Sequence, residues 1–195
     1  MKKLILCLLI LFSAFLESKS QVVDAKVNIL SGCIGIYNPS IEIGFNKSSA
    51  LSFDYVGIFG KENFLGTGYP CMLNMVLFGY RHYLKKDIHK GFFASADFGL
   101  DMFRMNKNII PLFPHDHSNE GYDVGSSWMA GISLGYKHKF NYRWGMEASL
   151  SYGFHHAQHE GYTEEGVRLF ELNASAEWVP YKAGIYLTYR IGKKN

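Results

Sequence analysis

Long apolar runs are missing from this sequence beyond its first residues, and that absence excludes most helical membrane proteins. After the N-terminal segment, no stretch approaches the roughly 20 apolar residues that a transmembrane helix needs. Helical periodicity is almost absent as well. Aromatic residues make up 16% of the chain, and there are 20 glycines. This composition favours an exported or outer-membrane β protein over a cytosolic enzyme.

Charge of one sign and cysteine are also scarce. The formal net charge is +3, and it falls to +1 once the N-terminal segment is removed. A chain so close to neutral gives no reason to expect a nucleic-acid partner. Only Cys33 and Cys71 lie beyond the N-terminal segment, and they form either a disulfide or two free thiols. We predict no cofactor.

The N-terminal segment has the pattern of a cleaved signal peptide. Two lysines precede an apolar run from Leu4 to Leu16, which is too short to span a bilayer as a helix. Ser18 and Ser20 place a cleavage site before Gln21, and the alternative is an anchor that stays attached. We therefore expect a signal peptide at 1–20 and one domain at 21–195.

Alternation of apolar and small or polar residues predicts eight strands. The first run loses its phase from Leu30 to Gly32, which suggests a bulge. The fourth run is apolar on both faces; we place Phe78 and Tyr80 outward and Arg81 inward, and the opposite phase stays open. The eight runs are Val23–Ile36, Ser40–Asn46, Ala50–Phe59, Met72–Tyr83, Gly91–Met105, Gly125–His138, Arg143–His155 and Trp178–Ile191.

The connections between these runs predict an all-β, antiparallel, up-and-down transmembrane β-barrel. The long ones, Gly60–Cys71, Asn106–Asp123 and Ala157–Ala174, would all lie at the end opposite the termini. Outer-membrane barrels have that asymmetry, with long loops outside the cell. The connection after the first strand is the exception and predicts a tight turn. An even number of strands closes the sheet without an unpaired edge.

Aromatic residues recur eight positions apart in the second half of the chain. Eight residues of tilted strand rise about 20 Å along a barrel axis, close to the height of a hydrocarbon band. The spacing therefore predicts an aromatic girdle at each rim of such a band. Its members are Trp128 with Tyr136, Trp144 with Tyr152, and Tyr181 with Tyr189.

The face opposite the apolar rows decides between a membrane barrel and a soluble lipocalin-like barrel. It consists mostly of small residues with isolated charges, whereas a solvated face would be dense in lysine and glutamate. Small residues suit the narrow interior of eight strands. We predict that the charges form ion pairs inside; a gated proton or ion path is the alternative. They are Glu42, Asp54, Asp97, Asp101 and Glu147 against Arg81, Lys137, Lys182 and Arg190.

Three segments carry a resemblance to the small outer-membrane β-barrels of Gram-negative bacteria. They are the terminal strand Gly184–Ile191, the first hairpin, with Asn38-Pro39-Ser40 at its turn, and Trp144-Gly145-Met146-Glu147. The chain resembles the OmpA-like and opacity-type proteins, and above all outer-membrane barrels of unknown function. The resemblance implies an outer-membrane location, lipid as a partner and no known catalytic residue.

Histidine is the one enriched chemical group. His155 and His159 are weak candidates for a transition-metal site near the outer end of the seventh strand, and we predict no metal. Ser151, four residues before His155, and the pair His117 and Ser118 raise the alternative of a lipid-A-modifying enzyme. The glycine-containing segment at 66–68 lacks the context of a phosphate loop.

These observations predict a non-enzymatic function. We expect a structural role, or a surface that binds an unknown ligand or protein through long outer loops. The alternatives are a lipid-A-modifying enzyme at the outer rim and a narrow, porin-like passage for small solutes or ions.

Overall fold

The computed structural model describes residues 22–61, 63–66, 70–85, 87–88, 90–106 and 121–191. The predicted signal peptide and its cleavage site lie outside these residues. No helix within the described part is both long and apolar enough to cross a membrane. The elements are β1 (Val22–Asn28), α1 (Ile29–Cys33), β2 (Pro39–Gly44), β3 (Ser49–Lys61), a 3₁₀ turn (Phe64–Gly66), β4 (Cys71–Tyr83), β5 (Gly91–Met105), β6 (Tyr122–Lys139), β7 (Trp144–Tyr162) and β8 (Arg168–Ile191).

The eight strands form one sheet that closes into a ring. Each strand pairs antiparallel with the next along the chain, and β8 pairs with β1 through a register that sets Val23 opposite Ile191. The predicted strand number, their antiparallel up-and-down order and closure are therefore confirmed. We call the end of the ring that holds Val22 and Ile191 the terminal end. The opposite end, which holds α1 and the β7–β8 turn, is the loop end.

The seventh and eighth strands are longer than the sequence predicted. Residues 157–174, predicted as a long outer loop, instead form a hairpin that turns at residues 163–167. The ladder continues through His159 opposite Asn173, with irregular register between His159 and Tyr162. Polar residues occur on both faces of this extension, so it lacks the alternation by which the other strands were recognised. The hydrogen-bonded ladder forms nonetheless, because backbone groups pair whatever the side chains are.

The first strand is shorter than predicted and ends in a helix where a bulge was expected. Asn28 adopts an extended conformation (φ −78°, ψ 109°), and its side chain accepts a hydrogen bond from the Ser31 backbone N–H. Asparagine is a favoured residue at this capping position, because it satisfies an amide that the first helical turn leaves free. The first connection is therefore a helical segment, α1, and the prediction of a tight turn was wrong.

Apolar side chains cover the outer surface of the ring, and small or polar ones fill most of its interior. Ile132, Leu134 and Leu150 are each about 60% exposed on the outside. On β4, Phe78 and Tyr80 face outward while Arg81 is buried, which confirms the predicted phase of that strand. Apolar groups inside form three clusters, of Ala50, Tyr83, Ile88 and Phe93, of Val56, Met75, Leu77 and Met129, and of Ile58, Phe64 and Cys71.

Candidate functional site

The interior of the ring holds every charged residue that the sequence placed there. Each of these side chains is buried, with exposed fractions of 8% or less. Asp123 on β6, from the end of a predicted loop, is buried as well. Two further buried charges, Asp24 and Lys26 on β1, were missed because the first run loses its phase. The alternation of Lys26 and Asn28 against Val27 and Ile29 was the signal that could have found them. With Asp123 they add two acids and one base, so the described interior holds seven acids and five lysine or arginine side chains.

The centre of this interior is a network in which Arg81 and Lys26 share two carboxylates. Arg81 lies 3.0 Å from Glu42 and 2.7 Å from Glu147. Lys26 Nζ lies 3.0 Å from Glu42 and 3.4 Å from Glu147. Buried charges are tolerated when they are paired with opposite charges and hydrogen-bonded. These two cations and two carboxylates, all desolvated, meet that condition. The network joins four strands that are spread around the ring.

Two more bases extend the network toward the terminal end. Lys137 lies 2.7 Å from Asp24 and 2.8 Å from Glu42. Arg190 donates to both carboxylate oxygens of Asp24, at 2.8 and 3.0 Å, a bidentate arrangement that fixes geometry as well as charge. The Tyr83 hydroxyl donates to Glu42 at 2.7 Å. Glu42 therefore accepts from four side chains on three strands, β1, β4 and β6.

Asp54 and Lys182 form a separate pair, whereas Asp97 and Asp101 take neutral partners. Lys182 Nζ lies 3.2 Å from Asp54. Asp97 accepts hydrogen bonds from the hydroxyls of Ser95, Ser133 and Tyr181. Asp101 accepts from Ser127 and lies 3.7 Å from His155 Nε2. The expectation that all interior charges form ion pairs was wrong for these two aspartates, because serine, tyrosine and histidine side chains meet them instead.

Tyr181 points into the ring, so its predicted place in the aromatic girdle was wrong. The register shifts between Ser151 and Tyr152, so that Ser151 lies opposite Lys182 and Tyr152 opposite Pro180. This bulge leaves Tyr181 as the extra residue, and its hydroxyl donates to Asp97 at 2.8 Å. The aromatic side chain of Tyr181 lies over a pair of facing glycines, Gly131 and Gly153. A Cβ at Gly131 would lie 2.7 Å from Cε1 of Tyr181.

The other five predicted girdle residues lie on the outer surface. Trp144 packs edge-on against Tyr189 at 4.8 Å between ring centroids, and Tyr136 packs likewise against Phe92 at 4.8 Å. These four form a row near the terminal end. Toward the loop end, Trp178 takes the place predicted for Tyr181. A second row there contains Trp128, Tyr152, Phe154 and Trp178, with neighbouring ring centroids about 6 Å apart.

A cavity of about 160 Å³ lies inside the ring toward the loop end. Its apolar wall includes Met75 and Met129, which belong to an interior cluster with Val56 and Leu77. Its polar wall contains Asp101, Asp123, Glu177, His155 and His159. Tyr181, which packs against this apolar cluster, also lines the cavity.

The two histidines proposed as weak metal candidates both line this cavity, yet no metal site is formed among the described residues. His155 approaches Asp101, whereas His159 is buried and packs edge-on against Phe170, with ring centroids 5.9 Å apart. No group of three or more potential ligands occurs in the part of the chain that the structure describes. Cys33 is exposed and Cys71 is buried, and the two do not form a disulfide.

The serine–histidine pairing considered for an enzyme is not formed by Ser151 and His155. The Ser151 hydroxyl lies 2.6 Å from the Ser133 hydroxyl, whereas His155 faces Asp101. His117 and Ser118 lie outside the described residues. The arrangement of the described interior can hold charge in fixed positions and can enclose a small molecule in the cavity.

Comparison with known proteins gives one family. The model of the family described as "Protein of unknown function (DUF3575)" matches residues 4–191. No curated protein and no solved structure matches the chain.

Proposed function

The chain belongs to the DUF3575 family over almost its whole length, and we propose that it is a non-enzymatic β-barrel protein that spans an outer membrane. Its role is structural, or it presents the loop end of the ring to a surface ligand or protein. One observation carries the proposal: the ring is apolar outside and ionic inside. That is the reverse of a protein folded in water, where charged residues cover the surface.

The outer surface supports contact with lipid tails. Aliphatic and aromatic side chains cover it continuously between the two aromatic rows, and Ile132 and Leu134 are each about 60% exposed there. A contiguous apolar surface of this extent is rare on a monomer in water. The exposed side chains of this band are Ile41, Leu51, Phe53, Phe78, Phe98, Leu100, Ile132, Leu134 and Leu150.

The two aromatic rows support a band of membrane thickness. Trp128 and Tyr136 stand eight residues apart on β6, about 20 Å along the axis of a tilted strand. Trp144 and Tyr152 repeat that spacing on β7. Tryptophan and tyrosine concentrate at membrane–water interfaces, because each has an apolar body and a polar tip.

The surface of the β7–β8 extension indicates where the membrane-contacting band ends toward the loop end. Beyond Trp178 charged side chains appear on the surface among exposed apolar ones such as Leu169. Arg168 lies 3.7 Å from both Glu160 and Glu171. Exposed ion pairs of this kind are stable in water, whereas charged groups that face hydrocarbon cost several kcal/mol. The extension therefore suits a hairpin that protrudes from the membrane at the loop end.

The filled interior supports a structural or interaction role over a narrow passage. Arg81 pairs with both Glu42 and Glu147, and all three are desolvated, so an ion would have to break these pairs to pass. Eight strands leave an interior that side chains fill or that holds one small ligand, and no aqueous channel. Planar-bilayer recordings that show no unitary conductance would agree with this interpretation, and a stable open channel would overturn it.

Two leucine-to-arginine variants test the membrane assignment. Leu150 lies between the aromatic rows and is 59% exposed, whereas Leu169 lies on the protruding hairpin and is 51% exposed. If the band contacts lipid, Leu150→Arg destabilises the protein folded in lipid vesicles by about 2–4 kcal/mol, and Leu169→Arg by at most about 1 kcal/mol. Urea titration in vesicles measures both.

A water-soluble ring would give a different result. In water both leucines are surface residues of similar exposure, so the two substitutions would have equal and small effects. Wild-type protein that remains folded and monodisperse without detergent or lipid would overturn the membrane proposal outright. Identical lipid A mass spectra from cells with and without the gene would agree with a non-enzymatic role, and a difference restored by the cloned gene would contradict it.

A further inference from the structure

The cavity at the loop end has the size and lining of a small-molecule site. Its volume of about 160 Å³ is close to that of buried apolar cavities of ~150 Å³ that take up benzene. Apolar groups from five strands line it, including Leu73, Phe103, Met129 and Val179. Methionine adapts its shape to what it contacts, so this wall can pack against an apolar ligand of varied outline.

The remaining wall of the cavity is acidic. Asp101, Asp123 and Glu177 contribute carboxylates, and none of the described residues lining the cavity is lysine or arginine. His155 and His159 are charged only when they are protonated. A concave, low-dielectric wall of one sign concentrates ions of the opposite sign. The lining therefore favours a cation over a neutral or anionic molecule.

Asp101 provides a specific acceptor for such a cation. Its side chain is only 3% exposed, and its Oδ2 accepts a hydrogen bond from Ser127. Its Oδ1 is buried and accepts no hydrogen bond from any described residue. A buried carboxylate oxygen without a donor costs free energy, and a ligand N–H group that reaches it would recover that cost.

Two other interior aspartates differ from Asp101 in their surroundings. Asp54 Oδ1 is also buried without a hydrogen bond from the described part of the chain, but Asp54 pairs with Lys182 at 3.2 Å. Two residues before Asp101 on β5, Asp97 has both oxygens bonded, by Ser95 on one and by Ser133 and Tyr181 on the other. We propose that the cavity binds a small organic cation: an amine that donates to Asp101 Oδ1 and carries an apolar body of about the size of a benzene ring.

Three probes of one shape test the proposal on the full chain in detergent micelles. Benzylamine, benzyl alcohol and benzoate share the ring and differ in charge. Isothermal titration calorimetry, with empty micelles as the blank, should show saturable binding of benzylamine. Benzyl alcohol should bind at least about tenfold more weakly, and benzoate should not bind, because a hydrogen bond to a charged group is worth a factor of ten or more. Equal binding of benzylamine and benzyl alcohol would overturn the proposal, as would the absence of saturable binding.

Three variants assign the effect to the cavity. Asp101→Asn keeps the shape and removes the charge, so benzylamine affinity should fall at least about tenfold while benzyl alcohol binding is unchanged. Ala157→Leu places a larger side chain in the buried wall and should abolish binding of both. Glu171→Gln, on a side chain that is 92% exposed, is the control and should change nothing.

The variants can also contradict the proposal. If Asp101→Asn leaves the ratio of benzylamine to benzyl alcohol affinity unchanged, the amine does not bind at Asp101. If Ala157→Leu leaves binding intact in a folded protein, the site lies elsewhere. The comparison of the three probes on the unaltered chain stands even where a variant fails to fold.

Discussion

Arg81 and Glu147 meet 2.7 Å apart across the interior of the ring, although their strands, β4 and β7, are not neighbours in the sheet. The sheet holds adjacent strands by backbone hydrogen bonds, so it contains no direct link between these two. The ion pair supplies that link. With Glu42 as a second carboxylate for Arg81, it ties the two sides of the ring together through desolvated charge.

Replacing Arg81 should therefore be costly. In Arg81→Leu, Glu42 and Glu147 lose their shared guanidinium and are left with Lys26 and Lys137. Removing one partner of a buried ion pair typically costs about 3–5 kcal/mol, because uncompensated charge stays buried. We expect a loss of that size in the free energy of unfolding, measured by urea titration of the protein folded in vesicles or micelles.

A matched arginine on the hairpin serves as the control for this variant. Arg168 forms longer contacts of 3.7 Å with Glu160 and Glu171, and its side chain is 46% exposed. Exposed pairs contribute about 0–1 kcal/mol, so Arg168→Leu should leave the urea midpoint almost unchanged. Equal losses for the two arginines would show that the buried network does not stabilise the ring.

The Tyr181 hydroxyl should contribute measurably to stability. In Tyr181→Phe the Asp97 carboxylate loses one of its three hydroxyl donors, while the aromatic group at position 181 is kept. A hydrogen bond to a charged group is worth about 1.5–3 kcal/mol. We expect a loss toward the lower end of that range, because Ser95 and Ser133 remain. Tyr152→Phe, on a ring that is half exposed outside, should cost less than about 0.5 kcal/mol. If Tyr181→Phe left the free energy of unfolding unchanged, Tyr181 would face outward after all.

Strand phase could be predicted wherever period-two alternation ran without interruption. The bounds of β5, Gly91–Met105, were predicted to the residue, and its inward side chains Asp97 and Asp101 followed from counting by two. On β8 the same counting placed Tyr181 outside, because it assumed that no residue had been inserted. The bulge opposite Ser151 and Tyr152 shifts the count by one, and a strand's own pattern does not contain its partner's register.

Partners inside the ring could not be predicted either, because they depend on which strands meet across it. Charge balance indicated ion pairs, and Arg81 does pair with Glu42 and Glu147. The same balance gave no reason to assign hydroxyl donors to Asp97. The facing pair of Gly131 and Gly153 does indicate an inward aromatic side chain. Two glycines in register leave room for an aromatic group to lie over them, as Tyr181 does.

That glycine pair gives a further prediction. A Cβ at Gly131 would lie 2.6 Å from the Tyr152 carbonyl oxygen and 2.7 Å from Gly153 Cα, so Gly131→Ala must displace backbone. Overpacking of this kind costs about 1–3 kcal/mol in the free energy of unfolding. Gly32 in α1 has no atom within 4 Å of its Cβ position, so Gly32→Ala should be neutral or stabilising, because alanine favours helix. If the two variants unfold at the same urea concentration, the close approach at Gly131 is not real.

Thiol chemistry can test the loop end of the fold independently of stability. Cys33 is exposed in α1, whereas Cys71 at the start of β4 is 3% exposed and packs with Ile58 and Phe64. In a Cys7→Ser background, which limits the count to these two, a water-soluble maleimide should label one thiol in the folded protein and two after denaturation. Mass spectrometry counts the labels.

The Cys33→Ser variant shows which thiol is labelled in the folded protein, because that labelling should then disappear. Burial slows the reaction of Cys71 by restricting access of the reagent, so its label should appear only as the ring unfolds. A disulfide between the two would give the opposite result: no label in the denatured, unreduced protein and two after reduction. That outcome would require α1 and the start of β4 to approach to about 6 Å between Cα atoms, and would show that the first connection folds differently from the helix described here.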